Sequence, residues 1–150
     1  VVLDDEGKNL VLRKIAGECE KDLKVFKGNL KKQGYISEVK SVLSEFAQYG
    51  VDFERLDDFM KEVPPESYLH YKLDDIRTIY EKFEEYLSEK YITKEEMLDV
   101  LSDAVPYSDI LKGSVVAMDG FTGFTPVQNR MYMNIRIRFL RSANRWSHLL

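Results

Sequence analysis

Apolar residues in the first 50 positions recur every three or four residues, the spacing of helices that bury one side. The first predicted helix covers residues 4–21, and its inward positions are Leu10, Val11, Ile15 and Cys19. A short second helix ends at Gly34 and contains Val25, Phe26 and Leu30. A third predicted helix begins at a Ser37 cap and ends at Gly50. Its inward positions are Val39, Val42, Leu43 and Phe46.

Two further helices are predicted on either side of Pro64 and Pro65. Asp52 caps the first, which must end before the prolines because proline lacks a backbone donor; its apolar residues are Phe53, Leu56, Phe59 and Met60. The second covers residues 67–90, about 35 Å at about 1.5 Å per residue. Its apolar residues alternate steps of four and three and predict one buried seam, formed by Leu69, Leu73, Ile76, Tyr80, Phe83 and Leu87.

The spacing of apolar residues changes in the last third of the chain. A capping box of Thr93 and Glu96 begins a helix that ends before Pro106, and a capped turn covers residues 108–113. Residues 115–118 are continuously apolar and predict a short strand buried on both faces. Thr125, Pro126 and Gln128 then supply an N-cap, a first-position proline and a capping-box partner for another helix.

The predicted fold class is therefore mainly α, a multi-helix domain with one short strand near the C-terminus. A lone strand cannot pair its backbone donors and acceptors, and no partner strand is visible in the sequence. This indicates that the chain, which begins at Val1, is excised from a larger α/β protein whose parallel sheet the strand rejoins.

Charge is distributed unevenly. All 26 acidic residues lie at or before Asp119, whereas the last 31 residues contain five arginines and no acid, although the net charge is only −4. An acidic main body argues against broad capture of nucleic acid, since non-specific affinity comes from Lys and Arg at phosphates. Any DNA contact would have to be local.

Cysteine and histidine usage limits the possible chemistry. The single Cys19 excludes an internal disulfide, and the distant His70 and His148 have no zinc-ligand spacing, so both Cys19 and His70 are interpreted as structural. No apolar run is long enough to span a bilayer and no signal peptide is recognisable. These features favour a soluble cytoplasmic protein without a metal site.

The segment VVAMDGFTGFTPVQ, residues 115–128, is the candidate functional motif. A buried strand ending in aspartate, then a loop and a capped helix, is how nucleotide hydrolases place a Walker-B carboxylate near magnesium. Asp119 is therefore a candidate nucleotide or magnesium ligand of a degenerate Walker-B type. An aspartate at the end of a buried strand is equally a simple loop cap, and both interpretations stay open.

This segment resembles a motif of the B subunit of AddAB-type (RexAB-type) ATP-dependent helicase-deoxyribonucleases, in which Asp-Gly-Phe ends a strand and a Phe-Thr-Pro loop follows. Three upstream segments resemble the same family: LDDEGKNLVLRKI from residue 3, KQGYISEV from residue 32 and YLHYKLDDIRTIYEKFEEYL from residue 68. The resemblance covers roughly residues 1–130. The order and spacing of the motifs make it more specific than any one of them.

The resemblance implies a domain organisation. Residues 1–113 correspond to a helical insertion, subdomain 1B, of a helicase-like region, and residues 114–134 to the return of the chain to the 1A core. Gly120 occupies the position where active helicases carry the glutamate that orients water, and no phosphate-binding loop is present. The chain is accordingly expected to contain no catalytic residue and to be inactive alone.

The resemblance also implies partners and cofactors for the parent protein, which would belong to an ATP-dependent exonuclease and helicase. These are the A subunit of a heterodimer, DNA bound through the full complex, ATP with magnesium, and an iron-sulfur cluster. None of the cofactors is expected in this chain.

Residues 135–150 depart from the family pattern. The sequence IRIRFLRSANRWSHLL is rich in arginine and has no counterpart in the resemblance. A frame-shifted or artificial end is one hypothesis. A native basic patch, where Arg side chains and Trp146 could hold a single strand, is the alternative.

Five residues are candidates for DNA contact. Phe121 and Phe124 lie in the loop between the predicted strand and helix, where they either pack in the core or stack on bases. Lys27, Lys31 and Lys32 form a basic cluster in the acidic part and either lie on the surface or contact phosphate.

Two functional hypotheses follow. The first is a non-catalytic scaffold and DNA-handling segment within the B subunit of a helicase-nuclease, acting in double-strand break repair and recombination. The alternative is a free-standing helical protein-interaction module without enzymatic activity.

Overall fold

The computed structural model describes residues 1–29, 32–88, 91–111, 114–117, 119–120 and 122–143. It divides into two compact units, residues 1–94 and 95–150. The mainly helical fold class is confirmed, with helices dominating and a two-stranded parallel sheet as a minor component. The subdomain boundaries implied by the family resemblance concern the parent protein and stay a prediction.

The first unit consists of four helices and two short strands. The helices are α1 Asp5–Cys19, α2 Gln33–Tyr49, α3 Phe53–Glu62 and α4 Tyr68–Ser88. Strand β1, Val2–Leu3, pairs in parallel with β2, Ile92–Thr93. Helix α1 packs on α2 and α4, and α3 packs on α4. Six of the buried residues of the core lie on α4.

Local chemistry at the helix ends confirms several predicted boundaries. The carboxylates of Asp4 and Asp52 accept hydrogen bonds from Gly7 N at 2.7 Å and Arg55 N at 2.9 Å, which caps α1 and α3. Gly50 ends α2 with a left-handed φ of 64°, a conformation that glycine adopts without strain.

The predicted seam of α4 is confirmed at five of its six positions. Buried in the core are Leu73, Ile76, Tyr80, Phe83 and Leu87. Leu69 is 48% exposed, because it lies in the first turn of the helix. The spacing also missed two buried residues on α4, Ile79 and Asp75.

Two other predicted inward residues are exposed. Leu10 on α1 and Phe59 on α3 both face solvent, whereas Leu12 and Leu56 are buried. A helix has several faces with apolar residues at helical spacing, and the packing against neighbouring helices selects one of them. Periodicity alone could not make that choice.

The predicted second helix, around Val25 and Phe26, is wrong. The described residues 20–29 form turns and bends, and Leu23 and Phe26 are nevertheless buried. Helix α2 begins at Gln33 instead of Ser37 and includes Gly34, which was expected to stop a helix. Leu30 lies outside the described residues.

The second unit contains α5, Lys94–Ala104, a 3-10 turn at Val105–Tyr107 and α6, Pro126–Ala143. Helix α5 follows Thr93 directly and ends before Pro106, as predicted. Helix α6 continues past Asn134, so residues up to Ala143 of the basic tail are helical. Residues 144–150, with Trp146 and His148, lie outside the described residues.

The position of the predicted short strand is corrected. Described residues 114–117 have no regular secondary structure, and Val115 is 96% exposed; Met118 lies outside the described residues. A strand needs a neighbour for its backbone hydrogen bonds, and the described part of the chain offers these residues none. The strands that form are β1 and β2.

Candidate nucleic-acid interface

The loop before α6 is held by a reciprocal capping box. Thr125 N donates to Gln128 Oε1 at 3.0 Å, and Gln128 N donates to Thr125 Oγ1 at 3.4 Å. Pro126 occupies the first helical position, where its missing donor costs nothing. The sequence prediction of this helix start is confirmed, and it gives the preceding loop a defined anchor.

The capping box places Phe124 against the second turn of α6. The rings of Phe124 and Tyr132 are stacked, with centroids 5.6 Å apart and planes 12° from parallel. Phe124 is 40% and Tyr132 38% exposed, so neither ring is enclosed in the core. The result is an aromatic pair on the surface of the second unit.

Tyr132 was not singled out by the sequence analysis. It lies eight residues after Phe124 and within a helix whose aromatic residues have no distinctive spacing. The signal that could have identified it is the capping box, since a helix that begins at Pro126 brings its second turn beside the loop. Phe121, the other predicted aromatic contact, lies outside the described residues.

Asp119 and Gly120 form an exposed turn upstream of the aromatic pair. Gly120 N donates to Asp119 Oδ1 at 2.7 Å, and Gly120 has a left-handed φ of 77°. The carboxylate thus interacts with its own turn, the loop-cap geometry that was one of the two interpretations. Its second interpretation, as a nucleotide or magnesium ligand, stays a prediction.

Side-chain hydrogen bonds join α5 and α6 within the second unit. Asn134 Nδ2 donates to the backbone oxygen of Ser102 at 3.0 Å and to its Oγ at 2.9 Å, and Ser102 is fully buried. The guanidinium of Arg130 donates to the carboxylate of Asp99. These bonds connect the two helices through Arg130 and Asn134, which lie four residues apart on α6.

An apolar groove of about 610 Å³ lies in the same unit. Residues of α5, the 3-10 turn, the segment 114–117 and α6 line it, among them Leu101, Val105, Val116, Met131 and Ile135. Asp119 is the acidic residue of its lining.

The structure describes two of the three lysines of the predicted basic cluster. Lys27 and Lys32 are exposed, and Lys32 Nζ donates to Asn29 Oδ1 at 3.0 Å, while Lys31 lies outside the described residues. Neighbouring Lys24 and Lys72 are paired with acids, and the bonded Glu38 carboxylate raises the pKa of Lys72. A phosphate contact by the cluster stays a prediction.

Titratable groups elsewhere are consistent with structural roles. Cys19 is fully buried, and this burial raises the pKa of its thiol. Within the described residues, no three His, Cys, Asp or Glu side chains come together as metal ligands. Nor does any described helix have the length and apolar character needed to cross a bilayer.

Comparison with known proteins places the chain in a family. The family model described as "ADDB, N-terminal" matches residues 1–136, and the chain belongs to this family. This confirms the family resemblance found in the sequence motifs.

Individual relatives share one description, the B subunit of an ATP-dependent helicase/deoxyribonuclease. The protein of Lachnoclostridium phytofermentans is 41% identical over 135 residues, which cover 90% of this chain and 12% of the relative. The Thermoanaerobacter sp. (strain X514) protein is 37% identical over a region that covers 83% of this chain and 11% of the relative. The Alkaliphilus oremlandii protein is 33% identical over a region that covers 84% of this chain and 11% of the relative. The chain thus spans about one tenth of the relatives' length.

Proposed function

We propose that this chain is a DNA-handling segment, without catalytic residues of its own, within the B subunit of an ATP-dependent helicase/deoxyribonuclease. In this proposal the parent protein acts in double-strand break repair and recombination in the cytoplasm. The relatives' shared description supports the parent activity. The observation that carries the role of this segment is the exposed stack of Phe124 on Tyr132, next to the Asp119 turn.

Exposed aromatic rings whose positions are fixed by neighbouring contacts are suited to binding single-stranded DNA. Each base offers a flat face to a protein ring, and stacking contributes about 1 to 3 kcal/mol per base. The full contribution requires a ring that is ordered before binding. The contact with Tyr132 and the capping box at Thr125 supply that order for Phe124.

The turn at Asp119 supports a role without ATP hydrolysis. Active helicases of this type carry a glutamate after the metal-linked aspartate, to orient the attacking water. Gly120 has a positive φ that L side chains rarely adopt, so a glutamate here would be strained in the observed loop. We propose that the parent complex holds the ATP, magnesium and iron-sulfur cluster that the family resemblance implies.

The relatives are described as one subunit of an enzyme, which implies an assembly with at least one other chain. We propose an A subunit as this partner and a heterodimer as the assembly. DNA would then reach this segment through the full complex, which is consistent with an acidic main body that binds DNA weakly by charge alone.

The test is Phe124→Ala in the full-length parent protein, purified with its partner subunit. Affinity for a labelled single-stranded oligonucleotide is measured by fluorescence anisotropy, and ATP turnover is measured at saturating DNA. We expect affinity to fall by about five- to 150-fold, as for loss of stacking on one base, with ATP turnover nearly unchanged.

The matched control is Tyr107→Ala, which removes an aromatic residue of the same unit that is 85% exposed and outside the stack. The control should bind DNA like the parent complex. If Phe124→Ala also binds and processes DNA like the parent complex, the loop is structural and the DNA-handling proposal fails.

A further inference from the structure

Helix α5 has an exposed apolar face that is separate from the side bonded to α6. This face, the α5 stripe, consists of Met97, Val100, Leu101 and Ala104, whose spacing of three, one and three residues places them together on the helix surface. All four are exposed, and Val100 is 57% exposed. Ser102, which accepts the hydrogen bond from α6, is fully buried on another side of the helix.

The α5 stripe is continuous with the apolar groove of the second unit. Leu101 and Ala104 belong to both, and the groove extends from them to Ile135 of α6. Single exposed apolar side chains are normal on a protein surface, whereas a contiguous apolar surface marks a contact. The stripe and the groove together are therefore a candidate docking surface.

Acidic residues border this surface. Glu96 and Asp103 lie four residues before and three residues after Val100, so they are its neighbours on the helix. Helix α5 contains four acids and one lysine, and one of the acids, Asp99, is already paired within the unit. The lining of the groove adds Asp119. Charge complementarity thus favours an occupant that is apolar on one side and basic at its edge.

We infer that the α5 stripe and the groove bind an amphipathic helix of the same parent B subunit, from outside these 150 residues. Its apolar side fills the groove, as in other helix-in-groove contacts, and a Lys or Arg at its edge faces Glu96 and Asp103. Most of such a subunit is available for this contact, since the matched region is 12% of the Lachnoclostridium phytofermentans relative. Permanent contacts are more apolar than those between partners that separate, which favours a helix of the same subunit. The inference rests on the proposed parent subunit but not on the proposed DNA contact.

The test measures access to position 100 in the full-length B subunit, purified alone and with its partner subunit. Val100→Cys is labelled with a maleimide, and its rate is compared with that of the same variant unfolded in urea; the subunit without the added cysteine gives the background. We expect labelling to be slower by about tenfold or more in both samples, because a covered thiol reacts only when the contact opens. The matched control is Leu10→Cys, a single exposed apolar position on α1, which should label at close to the unfolded rate.

A charge reversal tests the basic edge of the occupant. Asp103→Lys, combined with Val100→Cys, should speed labelling about two- to five-fold, as for loss of one surface ion pair. Glu45→Lys, at an exposed position on α2, makes the same charge change and should have no effect. Labelling that Asp103→Lys leaves unchanged refutes a basic occupant.

Three other results overturn the inference. One is labelling of Val100→Cys as fast as that of Leu10→Cys in both samples. The others are protection that requires the partner subunit, which assigns the surface to that subunit, and protection that increases with the concentration of the B subunit, which assigns it to a second copy. None of these measurements involves DNA, so the effect of Phe124→Ala on DNA affinity decides the proposed function separately.

Discussion

The carboxylate of Asp75 holds an irregular segment of the first unit in place. Its Oδ1 accepts a hydrogen bond from Lys24 N at 2.8 Å, and its Oδ2 accepts bonds from Val25 N at 2.6 Å and Phe26 N at 2.8 Å. Asp75 is 1% exposed. These bonds satisfy three backbone donors that a helix would otherwise have paired, which explains how Phe26 is buried without a helix.

Replacing this carboxylate gives a prediction at the scale of one residue. Asp75→Asn keeps the shape but replaces one acceptor oxygen with a donor that faces backbone N–H groups. We expect the free energy of unfolding of the chain to fall by about 2 to 4 kcal/mol, measured by urea denaturation. Asp74→Asn, at the neighbouring exposed position, should cost less than about 1 kcal/mol. Equal effects of the two variants would contradict the role of Asp75.

A second residue-scale prediction concerns Asp57 and Arg77. Arg77 Nε and Nη2 donate to the two oxygens of Asp57 at 2.5 and 3.2 Å, and this bonding holds the pKa of Asp57 below its ordinary value. A lowered folded-state pKa contributes stability above the unfolded-state value, about 3.9, and loses it as the pH falls through the folded-state pKa.

The unfolding free energies of the parent chain and Asp57→Asn should therefore differ at pH 6 and converge as the pH falls below about 4. Urea denaturation across this range measures the difference. Asp58→Asn is the control, since Asp58 pairs with the exposed Lys61 on the same helix. A difference that stays constant with pH would refute the contribution of the Asp57 charge.

At the scale of elements, helix α4 supplies six of the buried residues of the core of the first unit. Its buried residues include the large Phe83, which is 4% exposed. We expect Phe83→Ala to cost on the order of 3 to 5 kcal/mol of unfolding free energy, because it leaves a cavity among packed helices. Ile76→Val, which removes one methylene from the same face, should cost about 0.5 to 1.5 kcal/mol.

The control on the same helix is Leu69→Ala, because Leu69 was predicted to be buried and is about half exposed. Its cost should be within about 0.5 kcal/mol of zero, as for surface substitutions. Urea denaturation of the three variants measures the difference. A large loss at Leu69 together with a small loss at Phe83 would show that α4 buries a different face.

At the scale of the whole molecule, the parent protein's activity and the activity of this chain are expected to differ. The family resemblance aligns Gly120 with the position of the catalytic glutamate of active helicases, and the 150 residues contain no phosphate-binding loop. We expect the 150-residue chain with magnesium, ATP and single-stranded DNA to show only background turnover in a phosphate-release assay. Turnover that Asp119→Ala abolishes would contradict this expectation.

Most helix positions could be predicted from the sequence, because the signals are local. The caps at Asp4 and Asp52 join residues three apart, and so does the box of Thr125 and Gln128. The apolar spacing of four and three residues is likewise a property of one helix, so five of the six predicted seam positions of α4 are buried. The candidate loop was located for the same reason, from an apolar run, an Asp-Gly turn and a helix start.

Tertiary structure alone decided the features that join distant positions. Asp75 meets its loop donors across about fifty residues, so no local signal could replace the helix predicted there with turns. The exposure of Leu69 depends on where neighbouring helices pack. The apolar run after residue 114 shows the same limit, since its composition is suited to a strand but only a neighbouring strand can supply its hydrogen bonds.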